Sequence, residues 1–184
     1  MTAATSPFTG ILNHVLGIEG GYVNDPRDSG GATRYGITEA VARSYGYHGS
    51  MKALPLETAR HIYQLRYWNP IHGDTLAKYS EALAAEVFDS AVNVGVGRAS
   101  QWLQRALNAL NVQGTHWPDI AEDGQIGSAT LRALDALSNR RGKQGLAVLV
   151  KMLNAIQGSF YISLAERRQK DEAFVFGWFL HRVN

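Results

Sequence analysis

Glu19, Asp28 and Thr33 are the residues whose types and spacing suit a hydrolytic reaction. They sit within Glu19-Gly20-Gly21-Tyr22-Val23-Asn24-Asp25-Pro26-Arg27-Asp28-Ser29-Gly30-Gly31-Ala32-Thr33-Arg34-Tyr35-Gly36-Ile37-Thr38. Cleaving a glycosidic bond needs a proton donor for the leaving oxygen. It also needs a group on the other face that activates water or steadies positive charge, and a pair of carboxylates supplies both. Glu19 is the candidate acid. A carboxyl at a helix C-terminus meets the negative end of the helix dipole. That field and partial burial should raise its pKa toward working pH, so that the proton is held until the substrate takes it. Asp28 lies in a polar loop whose hydrogen bonds keep a carboxylate ionised, and the Thr33 hydroxyl can hold a water. Asp25 competes with Asp28 for the second carboxylate role, and Tyr35 and Thr38 are alternatives to Thr33.

These groups need elements to position them. Phe8, Ile11, Leu12, Val15, Leu16 and Ile18 recur at near-helical spacing, which predicts an amphipathic helix. Ser6-Pro7 starts it and Gly20-Gly21 ends it, leaving Glu19 at its edge. Residues 20–37 hold five Gly, two Asp, one Asn and one Pro, a composition for a loop or tight hairpin. A small ribbon is expected around Tyr22-Val23 and Arg34 to Ile37. Thr38 should cap a helix over 39–45, and Pro55 should open one that ends near Trp68. A single buried helix is expected over 75–94, broken by Gly95 and Gly97, then an amphipathic helix over 98–110. A polar connection covers 111–127. Ser128 should cap a helix to about Leu137, a long helix should run over 145–168, and an aromatic-rich segment covers 173–183. The pattern is mainly α, with one irregular catalytic loop or small β-hairpin.

A chain of 184 residues, 45% hydrophobic and 18% charged, suits one globular domain or two small lobes. It has no Cys, which excludes disulfides, thiolate metal sites and a Cys nucleophile. Residues 1–95 carry 7 basic and 9 acidic side chains, and residues 96–184 carry 11 and 7, so the halves are −2 and +4. A basic second half favours anionic partners. The six His show no ligand pairing of the H-E-x-x-H kind, so neither a metal nor another cofactor is expected. Gly30-Gly31 fits no phosphate-loop pattern, and no nucleic acid is expected as a partner. The first ten residues lack the basic and apolar regions of a signal peptide, and no run of about 18 apolar residues reads as a membrane span.

The stretch from Glu19 to Thr38 resembles the N-terminal signature of glycoside hydrolase family 108, the phage and bacterial N-acetylmuramidases. The order Glu19, Asp28, Thr33 also resembles the catalytic arrangement of phage-type lysozymes, with an Asp-to-Thr gap one residue shorter than is common there. Tyr67-Trp68-Asn69-Pro70, Gly73-Asp74 and Phe88-Asp89-Ser90-Ala91-Val92-Asn93-Val94-Gly95 resemble the continuation of these enzymes. Trp102 to Asn108, Asp123 to Leu131 and Phe176 to Val183 are similar to the peptidoglycan-binding segment at the C-terminus of the same family. Together the resemblance covers nearly all of residues 8–183.

The resemblance implies a lysozyme-like fold of two lobes around a cleft, read here as residues 1–75 and 76–184. It implies a phage endolysin that hydrolyses the β-1,4 bond between N-acetylmuramic acid and N-acetylglucosamine in bacterial peptidoglycan and lyses the host. Such a protein is expected to be a monomer made in the host cytoplasm and to reach the periplasmic wall after a holin-type lesion. Lytic transglycosylase, chitinase and non-catalytic wall-binding protein are the rival readings. Asp25 and Tyr35 are further candidates for contacting substrate. Asp89 and Asn93, four apart on one helix face, either line the cleft or bond locally. Of the four Trp, Trp117 is expected to be the exposed one. The aromatics of the last segment are expected to dock in the core and leave Arg167, Arg168, Lys170 and Arg182 at the surface. The alternative is an amphipathic surface helix that meets an anionic outer membrane.

Overall fold

A computed structural model describes residues 6–19, 21–23 and 32–183, without the side chains of residues 17–19. Among the described residues the chain is mainly α, with one three-stranded antiparallel sheet, as the periodicity predicts. It forms two compact units, residues 1–69 and 70–184.

The first unit begins with α1 (Pro7–Glu19). Phe8, Leu12, Val15 and Leu16 are buried, which is the i, i+4, i+7, i+8 stripe of an amphipathic helix. The Phe8 ring lies 5.3 Å from that of Trp68 in a tilted pair, worth about 1 kcal/mol beyond the area it covers. Strands β1 (Tyr22–Val23), β2 (Thr33–Arg34) and β3 (Ile37–Thr38) follow in that spatial order. Thr38 caps α2 (Glu39–Ser44), its hydroxyl accepting from the Val41 N–H, as its position before the apolar run predicts. α3 (Leu56–Tyr63) runs into a π-helical turn over Gln64–Trp68. There the Asn69 N–H reaches the Gln64 carbonyl at 2.9 Å. The wider turn lets Ile62, Tyr63 and Trp68 all be buried.

The second unit contains α4 (Gly73–Tyr79), α5 (Glu81–Val94), α6 (Val96–Leu110), α7 (Ser128–Arg167) and α8 (Glu172–His181). The single helix expected over 75–94 is two. Ser80 is extended, and its hydroxyl accepts from the Leu83 N–H at 3.3 Å, capping α5. Gly95, with φ 87°, then separates α5 from α6, as its left-handed conformation allows. The connection expected between residues 137 and 145 shrinks to one non-helical residue, Gly142, inside α7. α5, α6 and α7 pack on one another around Val87, Phe88, Leu103, Leu107, Leu134 and Leu149, all buried. One 18-residue window of α7 reaches a mean hydropathy of 1.3. This corrects the reading that no stretch is apolar enough to cross a bilayer, although its packing on α5 and α6 is that of a core helix.

The polar connection over 111–127 is stapled to α6 by the side-chain amides of Gln104 and Asn108, and to itself by that of Asn111. Buried Gln104 donates to Asp123 Oδ1 at 2.7 Å, the Gln125 carbonyl at 3.0 Å and Thr130 Oγ1 at 3.2 Å, and accepts from the Gly124 N–H at 2.9 Å. Asn108 exchanges two bonds of 2.9 Å with the backbone of Ile120. Asn111 donates to Asp119 at 2.6 Å and accepts from the Gly114 N–H at 3.1 Å. Gly124 has φ 77°, and a Cβ there would stand 2.8 Å from the Gly97 carbonyl, so this turn requires glycine.

The last helix departs from expectation in both directions. Trp178 stacks on Tyr161 at 4.8 Å, and Phe179 rests where Gly158 leaves room for it. Phe174 and Leu180 are exposed, and Phe176 is 79% exposed. Arg182, expected at the surface, is buried and ion-paired with Asp89 at 2.9 Å. A ten-residue helix that is apolar on every side has only one side to bury here, so Phe174, Phe176 and Phe179 are exposed.

Candidate active site

Glu19 closes α1, and the helix has no basic residue in its last turn. Its negative end is therefore not neutralised from within the helix. The side chain of Glu19 lies outside the described residues, as do Asp25 and Asp28.

Thr33 lies on the central strand. Its Cα partners are Val23 on β1 and Thr38 on β3, and Arg34 pairs with Tyr22 and Ile37. The register thus sets Thr33 beside Val23, four residues after Glu19 in the chain. Only two residues, Tyr35 and Gly36, join β2 to β3, with φ of 53° and 71°. This is the left-handed pair that a two-residue hairpin prefers. A tyrosine is costly there, roughly 1 kcal/mol. Two contacts hold it: the Tyr63 hydroxyl donates to the Tyr35 carbonyl at 2.9 Å, and the Arg34 guanidinium lies 5.0 Å from the Tyr35 ring centroid. Tyr35 itself is part-buried. The Ala32 carbonyl accepts from the Glu39 N–H at 2.9 Å, tying the strand entry to α2.

Asp89 and Asn93 belong to α5 in the second unit and meet each other there. Asn93 Nδ2 donates to the Asp89 carbonyl at 2.8 Å and to Asp89 Oδ2 at 3.1 Å. Asp89 also accepts from Gln157 Nε2 at 3.0 Å and from Arg182 at 2.9 Å. One turn earlier, buried Glu86 accepts from Asn154 Nδ2 at 3.0 Å. Burial pushes the Glu86 carboxyl up to about 8; the charge of Asp89 adds to this, and the Asn154 bond opposes it. Glu86 therefore carries its proton at neutral pH. Asp123, in the stapled connection, is held below the usual carboxylate range by the Gln104 amide and the Gln125 N–H.

Sequence reasoning missed Tyr63, Glu86, Gln157 and Arg182. Tyr63 reaches a carbonyl 28 residues away and Arg182 a carboxylate 93 residues away, and no local spacing encodes either. Trp117 is a correction: it is 6% exposed, because the connection that carries it is pinned onto α6 by Gln104 and Asn108. Trp68 and Trp102 are also buried, and Trp178 is the half-buried one.

The family Glycosyl hydrolase 108 matches residues 12–95, and the family Predicted Peptidoglycan domain matches residues 98–183. Glu19, Asp25, Asp28, Thr33, Tyr35, Asp89 and Asn93 all fall in the first match. The two matches meet at the turn between α5 and α6. Among solved structures, one described as the structure of Brucella abortus SagA is 29% identical. The alignment covers 94% of this chain and 97% of that one, with a TM-score of 0.57. No curated protein matches the chain.

Proposed function

We propose that this chain, in which a glycosyl hydrolase 108 domain precedes a predicted peptidoglycan domain, is an N-acetylmuramidase that uses Glu19 as its acid. The coarser activity is plain: the chain is a glycoside hydrolase acting on peptidoglycan. The bond proposed is the β-1,4 linkage from N-acetylmuramic acid to N-acetylglucosamine. The observation that carries the site assignment is a carboxyl residue closing an apolar helix with no cation in its last turn, inside the hydrolase match.

In this reading Glu19 gives its proton to the bridging oxygen as the bond to the anomeric carbon breaks. Asp28, or Asp25 in its place, steadies the oxocarbenium-like charge or takes a proton from the attacking water. The Thr33 hydroxyl orients that water. The hydroxyl of water ends on the anomeric carbon, the released sugar carries the Glu19 proton, and the second water proton passes to the aspartate or directly to the Glu19 carboxylate, which restores the acid. Tyr35 is assigned to substrate contact, because a strained backbone held by two partners is a frequent mark of a working site. Asp89 and Asn93 keep their assignment as substrate contacts only if their shared network leaves an oxygen for the sugar. In the cell the chain is read as an endolysin, made in the cytoplasm of an infected host and released to the periplasmic wall as a monomer.

Digestion of purified peptidoglycan in heavy-oxygen water, followed by mass spectrometry, tests this reading. One heavy oxygen at each new reducing muramic acid end is expected. Anhydro-muramic ends without label would make the enzyme a lytic transglycosylase. Cleavage of chitin oligomers with no cleavage of peptidoglycan would make it a chitinase. Wall binding with no new reducing ends would make it a wall-binding protein.

A further inference from the structure

The second unit carries a groove apart from the residues of the candidate active site. Its floor is apolar, formed by Trp102 of α6 with Ile156 and Phe160 of α7, and its volume is about 360 Å³. The Trp102 ring meets Phe160 edge-on at 5.5 Å. Arg105 lines the groove, and the Arg98 guanidinium lies 4.9 Å from the Phe160 ring centroid. Arg98, Trp102 and Arg105 follow the i, i+4, i+7 row of α6, so the two guanidiniums stand roughly 10 Å apart along the helix. Exposed Ser159 offers a hydroxyl on the α7 side.

Charge decides what such a groove can hold. No Asp or Glu occurs between Asp89 and Asp119, or between Asp135 and Glu166. Both walls come from those stretches. Arg98 and Arg105 are exposed and have no carboxylate partner among the described residues. An apolar floor with two cations on its rim and a hydroxyl opposite matches an amphipathic sugar ring bearing acidic substituents. A neutral polysaccharide would leave both guanidiniums without a counter-charge.

We infer that the groove between α6 and α7, with Arg98 and Arg105 on its rim and Trp102, Ile156 and Phe160 as its floor, binds a carboxylate-bearing glycan strand of the cell wall. The inference rests on the reading that the chain acts on peptidoglycan, and it names where the second domain grips that polymer. Sugar rings lie on the apolar floor, and carboxylates of the attached peptides meet the two guanidiniums. Gripping the insoluble polymer there raises the local concentration of bonds for the first domain.

Co-sedimentation of the full chain with purified Gram-negative sacculi, in the cold and over short times, tests it. Arg98→Gln/Arg105→Gln is compared with Lys143→Gln/Lys151→Gln, which removes the same charge from exposed positions outside the groove. The groove variant should bind sacculi about tenfold more weakly, as expected for two rim ion pairs, and the control should bind within about twofold of wild type. Cleavage of a short soluble muropeptide should be unchanged in both, while KM on sacculi rises for the groove variant alone. Equal binding by the groove variant and wild type overturns the inference, and so does an equal loss in the control. Sedimentation reads the groove even if no bond is cut, so failure of the catalytic reading is seen separately, as the absence of new reducing ends.

Discussion

The hairpin after α1 and the stapled connection after α6 are both polar, glycine-rich and irregular, yet they are held in opposite ways. The hairpin has two-residue strands, exposed Tyr22 and Val23 on its edge, and a long-range side-chain bond from Tyr63. The connection is held by Gln104, Asn108 and Asn111, whose amides stand in for missing backbone partners. A buried amide left unsatisfied costs about 1–3 kcal/mol, so the connection is expensive to disturb. Substitutions in the first region should therefore change chemistry at little cost in stability, and those in the second the reverse.

The largest effect expected from this contrast is at Asp28. Asp28→Asn should lower kcat on peptidoglycan by roughly 10²–10³-fold, the range of a lost acid–base or charge-stabilising group. Its Tm should stay within about 2 °C of wild type. Asp25→Asn should cost less than about tenfold, as measured by the release of reducing ends. A reversed order would move the second carboxylate role to Asp25. Next comes Gln104→Ala, which strips four bonds from the staple. A loss of about 3 kcal/mol is expected, read as a fall in Tm of roughly 10 °C. An unchanged Tm would show that the connection needs no staple, and the contrast would fail.

A smaller effect concerns pH. The Glu86 carboxyl is raised from 4.5 to about 8 in the folded chain. Its contribution is complete below 4.5 and is lost as pH rises through 8, where the buried group must ionise beside Asp89. Thermal melts between pH 5 and 9 should show wild type losing stability toward the alkaline end. Glu86→Gln keeps an acceptor for Asn154 and should flatten that slope by about 5 °C. An identical slope in both proteins would remove Glu86 as its cause. The smallest effect is at Phe176. Phe176→Ser should change stability by less than about 0.5 kcal/mol, because the ring touches little. A large loss would mean that α8 is more deeply buried than it stands here.

Local rules carried the reading of the fold wherever one helix face or one turn decided the outcome. The stripe from Phe8 to Leu16 defines α1, Thr38 caps α2 where its hydroxyl predicts, and Gly95 separates α5 from α6. The rules failed where two signals competed. Ser80 lies within an unbroken run of helix formers, and its capping bond outweighs their propensity. The break expected between 137 and 145 is present, but only as a kink at the non-helical Gly142. Trp117 was read from the polarity of its neighbours, while its burial comes from the Gln104 and Asn108 amides earlier in the chain. Of the candidate site, the helix end at Glu19 was legible from spacing, whereas the ribbon expected over Arg34 to Ile37 is two strands, Thr33–Arg34 and Ile37–Thr38, turning at Tyr35-Gly36. The ion pair of Asp89 with Arg182 was not legible, because only the packing of α8 brings position 182 to α5.

The account turns on Glu19 as proton donor, and Glu19→Gln measures it most directly. Lysis of outer-membrane-stripped Gram-negative cells, followed by turbidity, should fall by at least about 10³-fold, with the Tm of the variant within about 2 °C of wild type. A folded Glu19→Gln protein that clears the suspension at the wild-type rate would contradict the assignment.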